Sequence, residues 1–289
     1  MSAKLACLAG ATVYRMMESG QLAARELPRA DTPFGQSQPI FQVEGVPVPF
    51  YLMPRHGPGR QRPAPGQVNQ RANLYALKGL GVQCVLSWSG AGAITHNLAI
   101  GQVVLPNDLI DMTRRRPTTF FETSCLGFLR QFPVFCPDLQ AAVAEVMEEM
   151  HLTHLVGGTA AVTDGPRLET PAEVRMLGIA GAQVVTHTLA PEVFLAKELQ
   201  LCFAGACYLV GYAETGSRHR PFSTGDLFAG LTEASQDERL KLAVRSLPEL
   251  LTRLARKLDS AETRCECPHS MAERIRESDM PEDWQEWFK

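Results

Sequence analysis

The chain has 289 residues, 45% hydrophobic and 20% charged, a globular composition too apolar and too weakly charged for a disordered chain. Lys and Arg number 28 against 31 Asp and Glu, a formal net charge of −3. No basic excess exists to hold a phosphate backbone, so a general nucleic-acid partner is excluded. No run approaches the roughly 18 consecutive apolar residues that span a bilayer, so no membrane partner is expected.

The apolar stretch 5–13 after Lys4 reads as a first buried strand. Tyr14-Arg15-Met16-Met17-Glu18 follows it in place of a small-residue cleavage site, and no hydrophobic region precedes Cys7. The expectation is a cytoplasmic protein whose eight cysteines are free thiols. Residues 41–44 and 48–53 read as strands, with Gly45 and Pro47 marking the turn between them. Residues 54–65, rich in Pro, Gly and Arg, form a loop. Helical spacing follows over 67–79, with Gly81 as a stop.

Strands are expected at 83–88, 102–109, 159–163, 182–187 and 201–212, and helices at 139–150, 170–179 and 224–258. This alternation predicts an α/β sandwich around one central sheet. One domain is expected over 1–258, followed by a polar extension over 259–289. The extension ends in Trp284-Gln285-Glu286-Trp287-Phe288, which is costly to leave in water and is expected to pack on the body or on a neighbouring subunit.

Four loops carry chemistry. Arg55-His56-Gly57 sits where a strand ends, and a guanidinium fork beside an imidazole suits an oxyanion; a surface Arg with a hydrogen-bonded His is the structural alternative. Ser87-Trp88-Ser89-Gly90-Ala91-Gly92-Ala93 follows another strand, with accessible N–H groups for an anion or a planar ring, or simply a tight strand–helix turn. In Gly165-Pro166-Arg167-Leu168-Glu169-Thr170, Thr170 is the expected N-cap and Glu169 suits a ligand N–H. His187-Thr188-Leu189-Ala190-Pro191-Glu192 opens a helix, and Glu192 suits an arginine or a sugar hydroxyl. Cys265-Glu266-Cys267-Pro268-His269 fits no zinc spacing, so neither a metal nor a cofactor is expected.

Taken together, Arg55-His56-Gly57, the run Gln67 to Lys78, Gly165 to Glu173, and Thr188 to Lys197 resemble the methylthioadenosine/purine nucleoside phosphorylase family. The resemblance runs in order from about residue 5 to about residue 250. It implies a single α/β domain whose central mixed sheet closes partly into a barrel, assembled as a homotrimer. It also implies phosphorolysis of a purine nucleoside, with inorganic phosphate as co-substrate. By the same resemblance Thr12, Arg55, His56, Ser89 and Thr188 would bind phosphate. Ala91, Gly92, Glu169, His187, Glu192 and Tyr212 would meet base and ribose, and Leu227 and Phe228 an apolar 5′ substituent such as methylthio.

The chain departs from that pattern in three places. The first phosphate loop reads Ala9-Gly10-Ala11-Thr12, displacing the hydroxyl to Thr12. The histidine expected after Arg-His-Gly is absent. The Asn or Asp that meets purine N7 aligns with Val210-Gly211-Tyr212-Ala213-Glu214, which leaves Glu214 as the nearby acid. Two functions follow: a purine or methylthio-purine nucleoside phosphorylase, or a binding protein for a nucleoside-like aromatic ligand on the same scaffold.

Overall fold

Strand β1 (Leu5–Ala9) is buried along its whole length, as a parallel strand covered on both faces must be. It ends at Ala9, and helix α1 (Thr12–Glu18) takes up Thr12 and Val13, which the expected strand had included. Val13 and Met16 are buried at helical spacing, so the apolar signal continues while its period changes. The computed structural model describes residues 3–59, 62–214, 231, 237–262 and 264–288.

Strand β2 (Ala24–Glu26), a ribbon of β3 (Asp31–Thr32) and β4 (Gly35–Gln36), β5 (Phe41–Val43) and β6 (Tyr51–Pro54) follow. Helix α2 (Gln70–Gly79) is capped by Asn69, whose side chain accepts from the Ala72 N–H at 3.1 Å. Then come β7 (Cys84–Ala93), β8 (Val103–Leu105), β9 (Asp108–Asp111), α3 (Pro137–Glu149), β10 (His154–Val156) and β11 (Thr159–Val162). The expected strand 102–109 is split between β8 and β9 at Pro106, which has no N–H to give a ladder.

The C-terminal half adds α4 (Pro171–Ile179), β12 (Ala182–Thr186), α5 (Glu192–Glu198), β13 (Cys202–Tyr212), α6 (Asp237–Arg245), α7 (Leu247–Ser260) and α8 (Ala272–Glu277). Thr170 caps α4 in a reciprocal box with Glu173. The helix expected over 224–258 is two helices where it is described, broken at Ser246 before a helix that begins Leu247-Pro248.

In the main sheet the order is β10-β8-β13-β7-β1-β6-β5-β2, and β12, β11 and β9 branch from β7. Strands β6, β1, β7 and β13 are parallel neighbours, while β12 and β8 pair antiparallel with β7 and β13, so the sheet is mixed. The 87–93 stretch is not a turn: β7 runs through it to Ala93. Its glycines let one strand serve two neighbours. A Cβ on Gly90 would lie 2.9 Å from Val210 of β13, and one on Gly92 would lie 3.4 Å from Val185 of β12.

Leu5, Cys7 and Ala9 join one apolar cluster with α3 and α7, while Ala6 and Leu8 join another with α2 and α5. The alternation along β1 thus builds two layers of helix over one sheet. The 264–288 segment lies on the body. Trp287 is buried, and the Phe288 ring meets Phe34, Tyr75, Phe120 and Phe121 at centroid distances of 5.5, 5.8, 5.1 and 5.4 Å. Among the described residues no helix is long and apolar enough to cross a membrane.

Candidate active site

Strands β6 and β1 end side by side, Pro54 opposite Ala9, while their parallel neighbour β7 passes Ala9 at Trp88 and runs on to Ala93. Ligands of open α/β sheets settle at such carboxyl edges, where loops diverge and backbone groups are left unpaired. Arg55 follows β6 directly and its N–H donates to the Ala9 carbonyl at 3.0 Å. Arg55 is 2% exposed. Nη2 donates to the Leu8 carbonyl at 2.7 Å and to Ser87 Oγ at 2.8 Å. Nε lies 3.2 Å from Glu192 Oε1, off the hydrogen-bond axis, so this contact is ionic.

His56 Nδ1 sits 3.0 Å from the Pro63 carbonyl, an acceptor, so Nδ1 carries the hydrogen and Nε2 is left for a ligand. Burial, and then the Arg55 charge, hold this imidazole below its usual pKa, so it is neutral at neutral pH. Hydroxyls complete the corner. Thr188 Oγ1 donates to Ser89 Oγ at 2.7 Å and lies 3.0 Å from Thr186 Oγ1, which donates to the Gly90 carbonyl at 3.1 Å. Ser87 and Ser89 share one face of β7, so the Arg55 and Thr188 attachments lie two residues, roughly 7 Å, apart. Thr12 opens α1 just beyond β1 and is half-buried. Cys7 and Cys207 lie behind this corner, their thiols pushed up to about 12 by burial, so they are neutral walls.

A cavity of 190 Å³ begins where the hydroxyls end. Gly90, Ala91 and Gly92 of β7, Glu169, Thr186 and His187, and Tyr212, Ala213 and Glu214 after β13 line it. Glu169 is 8% exposed, and its Oε1 accepts from Thr163 Oγ1 at 2.5 Å. His187 Nδ1 lies 2.9 Å from the same hydroxyl and 3.8 Å from the carboxylate. Burial lowers the His187 pKa, with Arg116 adding to the fall and Glu169 opposing it. Gly165 has φ +61°, and a Cβ there would sit 3.0 Å from the His187 ring, so this turn needs glycine. A second hollow of 720 Å³ shares Glu169 and is lined on its far side by Arg114, Arg115 and Arg167.

Glu192, read as suiting an arginine or a sugar hydroxyl and placed by the resemblance at base and ribose, is 2% exposed and takes the arginine: it faces Arg55. Its Oε2 also accepts the Leu189 N–H at 3.2 Å. Leu189 has φ +81°, a strained conformation for a side-chain-bearing residue, and this bond helps hold the turn that presents Thr188. Leu227 and Phe228 lie outside the described residues.

A sequence model of the phosphorylase superfamily matches residues 6–256. The chain belongs to the phosphorylase superfamily. It is 32% identical over 268 residues to a probable S-methyl-5′-thioinosine phosphorylase of Methanothermobacter thermautotrophicus, covering 91% of this chain and 87% of that protein. It is 30% identical over 286 residues to a probable 6-oxopurine nucleoside phosphorylase of Korarchaeum cryptofilum, covering 94% and 99%. It is also 32% identical over 250 residues to the S-methyl-5′-thioadenosine phosphorylase of Pyrococcus horikoshii, covering 86% and 93%. The crystal structure of a methylthioadenosine phosphorylase from an antarctic soil metagenomic library superposes with a TM-score of 0.81 at 22% identity, over 94% of this chain and 92% of that one, a likeness of fold.

Within this superfamily scaffold, four groups to which sequence reasoning gave no individual role shape the site. Ser87 and Thr186 bridge Arg55 and Thr188 to the sheet, and Thr163 holds Glu169. Arg116 is buried and donates to four carbonyls, those of His187, Ala190, Thr163 and Asp164, at 2.6 to 3.1 Å. It fastens the loop after β11 to the loop after β12. Arg116 is the third member of the run Arg114-Arg115-Arg116, and nothing local in the sequence distinguishes it.

Proposed function

We propose that the protein is an enzyme that cleaves the N-glycosidic bond of a purine nucleoside with inorganic phosphate, releasing free base and a ribose 1-phosphate. One observation carries this reading. Strand β7 supplies Ser89 to the Arg55–Thr188 corner and, two residues on, the Ala91–Gly92 floor of the cavity. An oxyanion on the first would lie one strand step from a sugar seated on the second.

That placement suits the chemistry. As the C1′–N9 bond lengthens, the ribosyl carbon gains positive charge, and a phosphate held beneath it stabilises that charge before its oxygen bonds to C1′. Fixing nucleophile and sugar together removes part of the entropic barrier, an effect that reaches roughly 7–11 kcal/mol in well-oriented systems. The electron pair of the broken bond enters the purine and is taken up by a proton at N7. Glu214, on the cavity wall, is the group assigned to deliver it. Arg55, His56, Ser89, Thr188 and Thr12 are assigned to phosphate, and Ala91, Gly92, His187 and Tyr212 to base and ribose. Glu169 is assigned to the ring N–H of a 6-oxopurine, in keeping with the thioinosine and 6-oxopurine names of two relatives. Leu227 and Phe228 are assigned to an apolar 5′ group. The same reading includes a homotrimer in the cytoplasm and no cofactor.

The test is base release from inosine, 5′-methylthioinosine, adenosine and 5′-methylthioadenosine, with and without phosphate. Release that requires phosphate, and that falls by roughly 10²-fold or more in Arg55→Ala, is the expected result. Nucleoside binding without release would leave a binding protein on this scaffold. Sedimentation of the purified chain tests the trimer.

A further inference from the structure

At the end of β13 opposite that cavity, four thiols from three places in the chain meet. Cys136 precedes α3, Cys202 opens β13, and Cys265 and Cys267 lie in the segment before α8. Their sulfurs all lie within 4.8 Å of one another. Cys136 and Cys202 are buried and Cys265 and Cys267 half-buried, and all four are free thiols. We propose that Cys136, Cys202, Cys265 and Cys267 form a tetrathiolate site for zinc, which fastens the C-terminal segment to the sheet.

The geometry suits a four-coordinate ion. With Zn–S bonds of about 2.3 Å, a regular tetrahedron has S···S edges of about 3.8 Å. The cluster brackets that value, with Cys202 and Cys265 sulfurs at 3.4 Å and no pair beyond 4.8 Å. The backbone around it is already held. Cys136 N–H donates to the Phe203 carbonyl at 2.9 Å, and Cys202 N–H to the Gln83 carbonyl at 2.9 Å. The 264–270 turn is tied down by Arg264 N–H to Asp138 Oδ2 at 3.2 Å, Gln200 Nε2 to the Pro268 carbonyl at 2.6 Å, and Ser270 Oγ to the Lys197 carbonyl at 2.6 Å.

Positive charge also stands near three of the four sulfurs. Cys136 Sγ accepts the Leu139 N–H at 3.5 Å at the head of a 13-residue helix, where partial positive charge accumulates. Lys197 and Lys78 interact electrostatically with Cys267 and Cys202. They offset part of the charge on the complex. Binding is a proton exchange without redox change: four thiols release four protons to solvent, four Zn–S bonds form, and the centre carries a charge of −2.

The competing chemistry is oxidation to disulfides, which would pull each sulfur pair to about 2.05 Å. The full-length chain, expressed with zinc and purified under reducing conditions, should carry about one zinc per chain by mass spectrometry of the metal. The Cys265→Ser/Cys267→Ser variant should lose at least about tenfold of it. Because that variant can misfold, the apo wild type is also titrated with cobalt(II), which should give thiolate-to-metal charge transfer and the intense d–d bands of a tetrahedral centre. A reduced wild type that takes neither ion overturns the proposal. So does zinc retained in full by the double variant, or recovery of the four cysteines solely as disulfides.

Discussion

Arg55 and Glu192, 137 positions apart, face each other at 3.2 Å with side chains 3% exposed, and the same carboxylate takes the N–H of strained Leu189. One buried acid therefore aims the guanidinium and shapes the turn that carries Thr188. Deleting one partner of such a pair leaves a buried charge alone, at a cost of about 3–5 kcal/mol. Glu192→Ala should lower the urea midpoint accordingly. Glu192→Gln keeps an acceptor and should fold, yet raise the phosphate KM by about tenfold while the nucleoside KM changes little. Equal changes in both constants would remove Glu192 as the residue that positions the phosphate ligands.

Glu169 is held by Thr163 at 2.5 Å, which fixes an acceptor toward the cavity. A site built to accept a ring N–H rejects bases that lack it. Glu169→Gln should cut kcat/KM for 6-oxopurine nucleosides by roughly 10- to 100-fold and that for 6-aminopurine nucleosides by less. The ratio of inosine to adenosine turnover measures this directly; an unchanged ratio would place base selection elsewhere.

Glu214 lies on the cavity wall next to Ala213, whose N–H is bound to the Ala93 carbonyl at 2.8 Å. A general acid acts as the bond breaks rather than as the substrate binds. Glu214→Gln should therefore lower kcat by roughly 10²-fold or more with KM within a few-fold. Parallel changes in kcat and KM would assign it to binding.

Glu198 is 3% exposed beneath Thr119 and Phe120, which donate to it at 2.6 and 2.7 Å. Burial outweighs those bonds and pushes its pKa from 4.5 to about 7. The folded state then holds a proton that the unfolded state releases between those values. Its contribution to stability is full below pH 4.5 and is lost as pH rises through about 7. Relative to Glu198→Gln, the wild type should lose on the order of 3 kcal/mol between about pH 4 and pH 8, read from urea midpoints. Parallel profiles would show that Glu198 stays ionised in the fold.

Much of this was legible locally. The apolar run at 5–9, the Thr170 cap, the stop at Gly81, and the order of the Arg55, Ser89, Glu169 and Thr188 loops depend on near neighbours in the chain, and propensity and capping act over that range. The structure seats Ala91, Gly92, Glu169, His187, Tyr212 and Glu214 around one cavity. By contrast, residues 87–93 read as a loop beyond a strand, an anion or ring cradle or a tight turn, and the structure continues the strand through them. Whether Gly90 and Gly92 bend the chain or admit neighbouring strands depends on Val210 and Val185, about a hundred positions away. Which arginine Glu192 takes, the four carbonyls of Arg116, and the meeting of Cys265 and Cys267 with Cys136 and Cys202 were decided in the same way. Charges, donors and thiols choose partners by distance in space, and that distance exists only once the sheet has brought remote segments together.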